Sequence, residues 1–309
     1  RASAGTGKTH TMVAKIAKEI EEKKNHRVIA ANTFTIKAAR EIKERLSVDT
    51  TGHFIGTNNS FAIEEVIKPF MKDVYGVQFD CEMTTDYSLK FDSYKEGMDY
   101  ISENYTLGSY RDNNKNFVFE LAQEILKSSE VARLYLQAKY FKIYVDEYQD
   151  CDTAMNNFFM YLTDSLNIDL FIVGDDKQSL YIWRGANPEA FRNIMSKPNF
   201  KSIFMGDNFR SNKQIQNYSN LLFEETLELY DEQTSLESIV LLNCTEQNWI
   251  QKIKSFWDPD KSSALLRFSN VNAEKGANIL CNHDMAFKYI PKSPIDDISN
   301  DAGWLYHSI

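Results

Sequence analysis

A chain of 309 residues with a 43% apolar fraction is long enough for two or three domains, and it has no apolar run of the roughly eighteen residues that a membrane span needs. The net charge of −9 argues against attraction of the whole surface to nucleic acid, yet residues 1–50 carry eleven Lys and Arg against six Asp and Glu, which leaves a local basic groove open. Four scattered cysteines without C-x-x-C spacing exclude a disulfide framework and a structural zinc site; with no signal-peptide pattern, a reducing cytoplasmic setting is expected.

The chain opens on the glycine-containing loop Ala2-Ser3-Ala4-Gly5-Thr6-Gly7-Lys8-Thr9. Such loops follow a buried strand that aims them, so a truncated sequence is expected here. Met12, Val13, Ile16, Ala17 and Ile20 then repeat at helical spacing over 12–22. Val28 to Ala31 reads as a buried strand, Lys37 to Leu46 as a helix, Phe54 to Thr57 as a strand and Phe61 to Phe70 as a helix. This alternation predicts an α/β fold with a parallel sheet covered on both faces.

From Met71 to Lys139 the helical signal dominates, with Phe117, Leu121 and Ile125 at i, i+4 and i+8. We read 71–139 as a helical insertion. Strands resume at Ile143 to Val145, Leu170 to Val173 and Ser202 to Met205. Residues 1–70 and 140–207 would form one discontinuous domain. Beyond it, 208–309 reads as part of a second α/β domain, with strands at Ile239 to Leu242 and Ala264 to Phe268. Cys281 and His283 are neighbours in sequence, but two ligands do not make a metal site.

Four stretches carry chemistry. In the loop, Gly5 and Gly7 free the backbone to aim N–H groups at phosphate oxygens, Lys8 supplies a charge for the β- and γ-phosphates, and Thr9 places a hydroxyl on Mg²⁺. The string Gly-x-Gly-Lys-Thr arises by chance in roughly one per cent of chains of this length, so the loop alone does not decide the class. The strand Ile143-Tyr144-Val145 ends in Asp146-Glu147-Tyr148-Gln149-Asp150. Asp146 suits the metal carboxylate and Glu147 the group that handles water; alone, the stretch would read as a strand ending in a solvated turn. In Gly174 to Ala186, Gln178 could reach the γ-phosphate. Tyr181, Trp183 and, further upstream, Phe34 could stack on bases or pack in the core. Arg210, in Asn208-Phe209-Arg210-Ser211, could enter the site from a second domain, although a lone surface Arg is the commoner case.

Together these segments resemble superfamily 1 helicases of the UvrD/Rep type. Ala2 to Thr9 resembles motif I, Thr33 to Ile42 motif Ia, Asp146 to Asp150 motif II, Gly174 to Ala186 motif III and Asn208 to Ser211 motif IV, in family order. The resemblance implies a RecA-like P-loop motor domain with a helical insertion and part of a second RecA-like domain. It implies hydrolysis of ATP, or another NTP or dNTP, with Mg²⁺, and DNA as partner, through single strands or ends. Ala4, Gly5, Thr6, Gly7, Lys8, Thr9 and His10 would hold the nucleotide, with Phe209 on its base. Thr9 and Asp146 would hold the metal. Lys8, Asp146, Glu147, Gln178 and Arg210 would carry the reaction. Phe34, Thr57, Tyr181 and Trp183 would meet the strand.

Departures accompany the match. The family's motif Ib reads close to Thr-Phe-His-Ser-Phe, against Thr57-Asn58-Asn59-Ser60-Phe61 here, and His10 stands where relatives often have Arg. No motif V or VI follows, so half of the second domain is expected to lie outside the sequence. The motif wording also resembles the helicase-like subunits of bacterial Gabija anti-phage defence systems. That implies an OLD-family nuclease partner, a hetero-oligomer and no membrane association.

Overall fold

Residues 3, 5–23, 25–179, 181–267 and 269–289 are described by the computed structural model. The chain forms two compact units, Arg1–Arg210 and Ser211–Ile309. In the first, α1 (Lys8–Glu22) follows the loop directly and buries Met12, Val13 and Ile16. Strand β1 (Val28–Thr33), α2 (Ile36–Arg45) and β2 (Phe54–Thr57) come next. Two helical stretches, α3 (Asn58–Ala62) and α4 (Lys68–Tyr75), are joined through a π-helical turn at Ile63–Ile67.

The region read as a helical insertion contains a second sheet. Strands β3 (Thr84–Phe91) and β4 (Thr106–Tyr110) pair in parallel, with α5 (Tyr94–Asn104) as the crossover. Tyr87, Leu89 and Phe91 alternate inward along β3 and pack on the core, while Thr84, Thr85 and Asp86 are exposed. That half-polar alternation hides a strand from a search for apolar runs. Helices α6 (Phe117–Ser128) and α7 (Glu130–Lys139) then lead back to β5 (Tyr140–Val145). Helix α8 (Thr153–Asp164), β6 (Asp169–Ile172) and α9 (Pro188–Met195) complete the order.

The main sheet runs β2-β1-β5-β6, all parallel, as the alternation of elements predicted. Its strands bury residues on both faces. Ile29, Ala31 and Tyr144 face a cluster with Met12, Ile16 and Ile42 of α1 and α2. Ala30, Ile143 and Val145 face the larger core of Phe61, Phe119, Phe158 and Phe159. Edge-to-face ring pairs such as Phe119–Phe158 at 5.3 Å fill that side.

The strand expected at 202–205 does not form: Met205 O accepts from Ser3 N at 3.1 Å, and residues 201–204 have no regular structure. The second unit holds α10 (Lys213–Leu221), α11 (Trp249–Lys254) and α12 (Asn270–Cys281). Its predicted strands at 239–242 and 264–267 are irregular, with Leu241 and Leu266 exposed, and Phe268 lies outside the described residues. An apolar run becomes a strand only where a neighbour takes its backbone hydrogen bonds. Within this unit the Asn217 side chain clamps Asp231, donating to its carbonyl and accepting from its N–H, both at 2.7 Å. Among the described residues no helix is long and apolar enough to cross a membrane.

Candidate active site

The loop owes its shape to its glycines. Gly5 and Gly7 stand at φ 73° and 78°, in the left-handed region that side-chain-bearing residues avoid. Gly5 is also close-packed: a Cβ there would strike the Asn208 carboxamide and come within 2.9 Å of Arg210 Cβ. Thr6 is buried, and its hydroxyl donates to Ser3 O at 2.8 Å. Helix α1 begins at Lys8 with no side-chain cap, so its first N–H groups are available to an anion at the positive end of a fifteen-residue helix. His10 is exposed in that first turn, and Ala4 lies outside the described residues.

Asp146 follows the last residue of β5, and its N–H donates to Asn32 O of β1 at 3.0 Å. Thr9 Oγ1, 137 positions away in sequence, donates to Asp146 Oδ2 at 2.9 Å, while Glu147 N donates to Asp146 Oδ1 at 2.9 Å. Burial pushes the Asp146 carboxyl above its ordinary pKa, and the charge of Glu147 adds to this. The Thr9 hydroxyl, the Glu147 N–H and the Lys8 charge pull the other way. Such a desolvated, crowded carboxylate gains from a cation.

The donors fit Mg²⁺. Oxygens on neighbouring vertices of an octahedron with bonds of about 2.1 Å stand about 3 Å apart. Thr9 Oγ1 and Asp146 Oδ2 are 2.9 Å apart. One hydroxyl and one carboxylate leave most positions to phosphate and water, as this ion prefers.

Glu147 is a strained neighbour, held at φ 51°, ψ 43° without a glycine's freedom. Its Oε2 accepts from Gln149 Nε2 at 2.9 Å. Sequence reasoning overlooked Gln149, which is only 1% exposed. A Gln between Tyr148 and Asp150 looks like any turn residue, and only its burial betrays it. Beyond β6, Asp175 N donates to Gln149 Oε1 at 2.9 Å, and Asp175 Oδ2 accepts from Gln178 Nε2 at 2.6 Å. Loop, Asp146, Glu147 and Gln178 thus gather at the carboxyl end of the sheet, where ligands bind in open α/β folds.

Asn208, Phe209 and Arg210 lie in the first unit, against the loop. Phe209 N donates to Gly5 O at 2.9 Å, and Arg210 N to Asn208 Oδ1 at 2.8 Å. The Phe209 ring is 81% exposed and the Arg210 side chain is exposed.

The residues read as strand contacts are scattered in character. Phe34 is half-buried against the main core. Thr57 is buried and caps α3: its hydroxyl accepts from Ser60 N at 3.1 Å, while Ser60 Oγ accepts from Thr57 N at 2.8 Å. Tyr181 is half-buried, with the Arg184 guanidinium 5.6 Å from its ring centre. Trp183 sits in the 3₁₀ turn Ile182–Arg184, and its side chain lies outside what is described. The altered motif Ib faces inward: Asn58 is buried, and Asn59 Nδ2 donates to Tyr87 OH of β3 at 3.2 Å.

Residues 1–96 and 92–199 match the family model described as the UvrD/REP helicase N-terminal domain. The chain is 42% identical to Gabija protein GajB of Bacillus cereus (strain VD045), over 97% of the chain and 62% of that protein. It is 29% identical to the ATP-dependent DNA helicase Rep of Buchnera aphidicola, over 82% of the chain and 47% of that protein. It is also 29% identical to the ATP-dependent DNA helicase PcrA of Staphylococcus aureus, over 74% of the chain and 38% of that protein. The chain therefore spans less than two thirds of the length of each of these relatives.

Proposed function

The chain belongs to the UvrD/REP helicase family, and from that premise we propose that it binds ATP, or another NTP or dNTP, with Mg²⁺ and hydrolyses it in response to single-stranded DNA or DNA ends. The observation that carries this reading is the contact of Thr9 with Asp146 at 2.9 Å, with Glu147 next in the chain. Two motifs far apart in sequence meet there as phosphoryl transfer requires.

Lys8 and the first N–H groups of α1 bind the β- and γ-phosphates. Thr9 and Asp146 would hold Mg²⁺, which would supply positive charge against those phosphates. Glu147 takes a proton from the water that attacks the γ-phosphorus, and the bond to the β-phosphate oxygen breaks to give the diphosphate and inorganic phosphate. Gln178 and Arg210 face the γ-phosphate, and Phe209 offers its exposed ring to the base. Phe34, Thr57, Tyr181 and Trp183 are the strand contacts.

Similarity to Gabija protein GajB supports a role in anti-phage defence, and in our reading the protein acts in the cytoplasm, within a hetero-oligomer that includes an OLD-family nuclease. Two readings of the output differ. In one the protein is a motor that unwinds DNA in the 3′ to 5′ direction; in the other it senses DNA and regulates the nuclease. Asn58 is buried and Asn59 is tied to Tyr87, so motif Ib offers the strand fewer groups. That favours the sensor. Strand displacement by the full-length protein on 3′- and 5′-overhang duplexes decides the matter. DNA-stimulated hydrolysis without unwinding is expected, and robust unwinding overturns the sensor.

A further inference from the structure

Strand β1 runs apolar from Val28 to Ala31 and then turns polar at Asn32. Successive side chains of a strand alternate, so Asn32 shares the face of Ala30, the face covered by Phe61, Phe119 and Phe158. Its register partners are Gly56 of β2 and Val145 of β5. Asn58 opens α3, directly after β2. Asn32 is 0% exposed and Asn58 1%. Neither the nitrogen nor the oxygen of either carboxamide lies within hydrogen-bond distance of a described group.

Burying a carboxamide without partners costs free energy at both its ends. Buried polar groups in folded proteins are therefore met by protein, by ordered water or by a ligand. The polar groups close by in the chain are already engaged. Ser60 Oγ donates to Thr57 O at 2.9 Å and accepts from Thr57 N at 2.8 Å. The Asn32 carbonyl accepts from Asp146 N at 3.0 Å. Ala30, Phe54, Phe61 and Val145, on the same face, offer no polar side-chain atom.

We infer that Asn32 and Asn58 together bind a buried water molecule between the carboxyl end of β1 and the first turn of α3. The donor set selects this ligand. Each carboxamide brings an acceptor oxygen and a donor nitrogen. Two acceptors and two donors match a molecule that gives two hydrogen bonds and takes two, and buried waters make about three on average. The same set rejects ions: the two amide nitrogens disfavour a cation, and the two amide oxygens disfavour an anion. A water-bridged pair also accounts for Asn58 standing where the family pattern has Phe, since the bridge replaces ring packing under α3. It ties α3 to the strand whose carbonyl at Asn32 holds Asp146, whether or not the chain hydrolyses a nucleotide.

The test uses the full-length protein. A crystal structure that resolves ordered water is expected to show one molecule within about 3.2 Å of both carboxamides. In solution, oxygen-17 relaxation dispersion counts long-lived buried waters, and the paired variant Asn32→Leu with Asn58→Leu should hold one fewer than wild type. Heat denaturation reads the same pair. Asn58→Leu alone strands the Asn32 amide and lowers the unfolding midpoint by about 2 °C or more. Adding Asn32→Leu brings the midpoint back to wild type or above it, because replacing both members of a buried polar pair by apolar groups of similar shape is close to neutral.

Carboxamides bonded to each other or to protein groups, with no water between them, overturn the proposal. An equal count of long-lived waters in wild type and paired variant overturns it too. Single and paired effects on the midpoint that simply add would show that the two amides share no ligand. The crystal structure of the wild type decides the matter even where a variant fails to fold.

Discussion

The end of the site proposed to bind phosphate and the rim proposed to meet the strand share one edge of the sheet, but they are held in different ways. Thr9, Asp146, Glu147, Gln149, Asp175 and Gln178 are joined by hydrogen bonds of 2.6 to 2.9 Å, several of them to a carboxylate. Phe34, Thr57 and Tyr181 are joined to nothing in common: one packs on the core, one caps a helix, one lies beside an Arg. Charge and geometry must be set in advance for phosphoryl transfer, so the protein builds that part tightly. Contact with a strand that slides or varies tolerates separate anchors of lower precision.

The sharpest way to break this comparison is at the phosphate end. Lys8→Ala and Glu147→Gln are each expected to lower DNA-stimulated kcat by about 10²–10³-fold or more, with the fold intact by circular dichroism. Near-normal turnover in either would mean that the reacting centre lies elsewhere.

At the rim the effect is smaller and appears in affinity. Trp183→Ala should weaken oligothymidine binding by about 1–3 kcal/mol, measured by fluorescence anisotropy, and change the ATP-only rate little. Unchanged affinity would remove Trp183 from the interface.

The smallest effect distinguishes capping from contact. Thr57→Ala should cost about 1 kcal/mol of stability in urea unfolding, and Thr57→Ser should restore most of it, because a serine hydroxyl can cap α3 equally well. A loss of stability with no loss of DNA affinity would leave Thr57 a cap alone and remove it from the strand contacts.

The contrast also explains which features were legible. Ile29 to Ala31 and Ile143 to Val145 announced central parallel strands because residues buried on both faces must be continuously apolar. Strand β3 did not, since Thr-Thr-Asp-Tyr-Ser-Leu-Lys-Phe covers only one face and its polar residues mask the alternation. The runs at 202–205, 239–242 and 264–267 had strand-like composition, but pairing depends on a neighbour that composition does not specify. Arg210, which the sequence suggested could enter from a second domain, stands with Phe209 in the first unit, where Phe209 N donates to Gly5 O of the loop.

What the sequence by itself determined was the residue pattern of the loop and of the strand end at Asp146, on which the proposed chemistry rests. That chemistry requires particular residues at fixed short spacings, such as glycines at φ 73° and 78° beside a Lys and a Thr. What only the tertiary structure decided was which side chains those motifs touch. Gln149 reads as one polar residue among several until burial ties its carboxamide both to Glu147 and to Asp175, the latter 26 positions further along the chain. Spacing in sequence constrains local conformation, whereas desolvation, which makes a buried amide seek both its partners, exists only once the chain has folded.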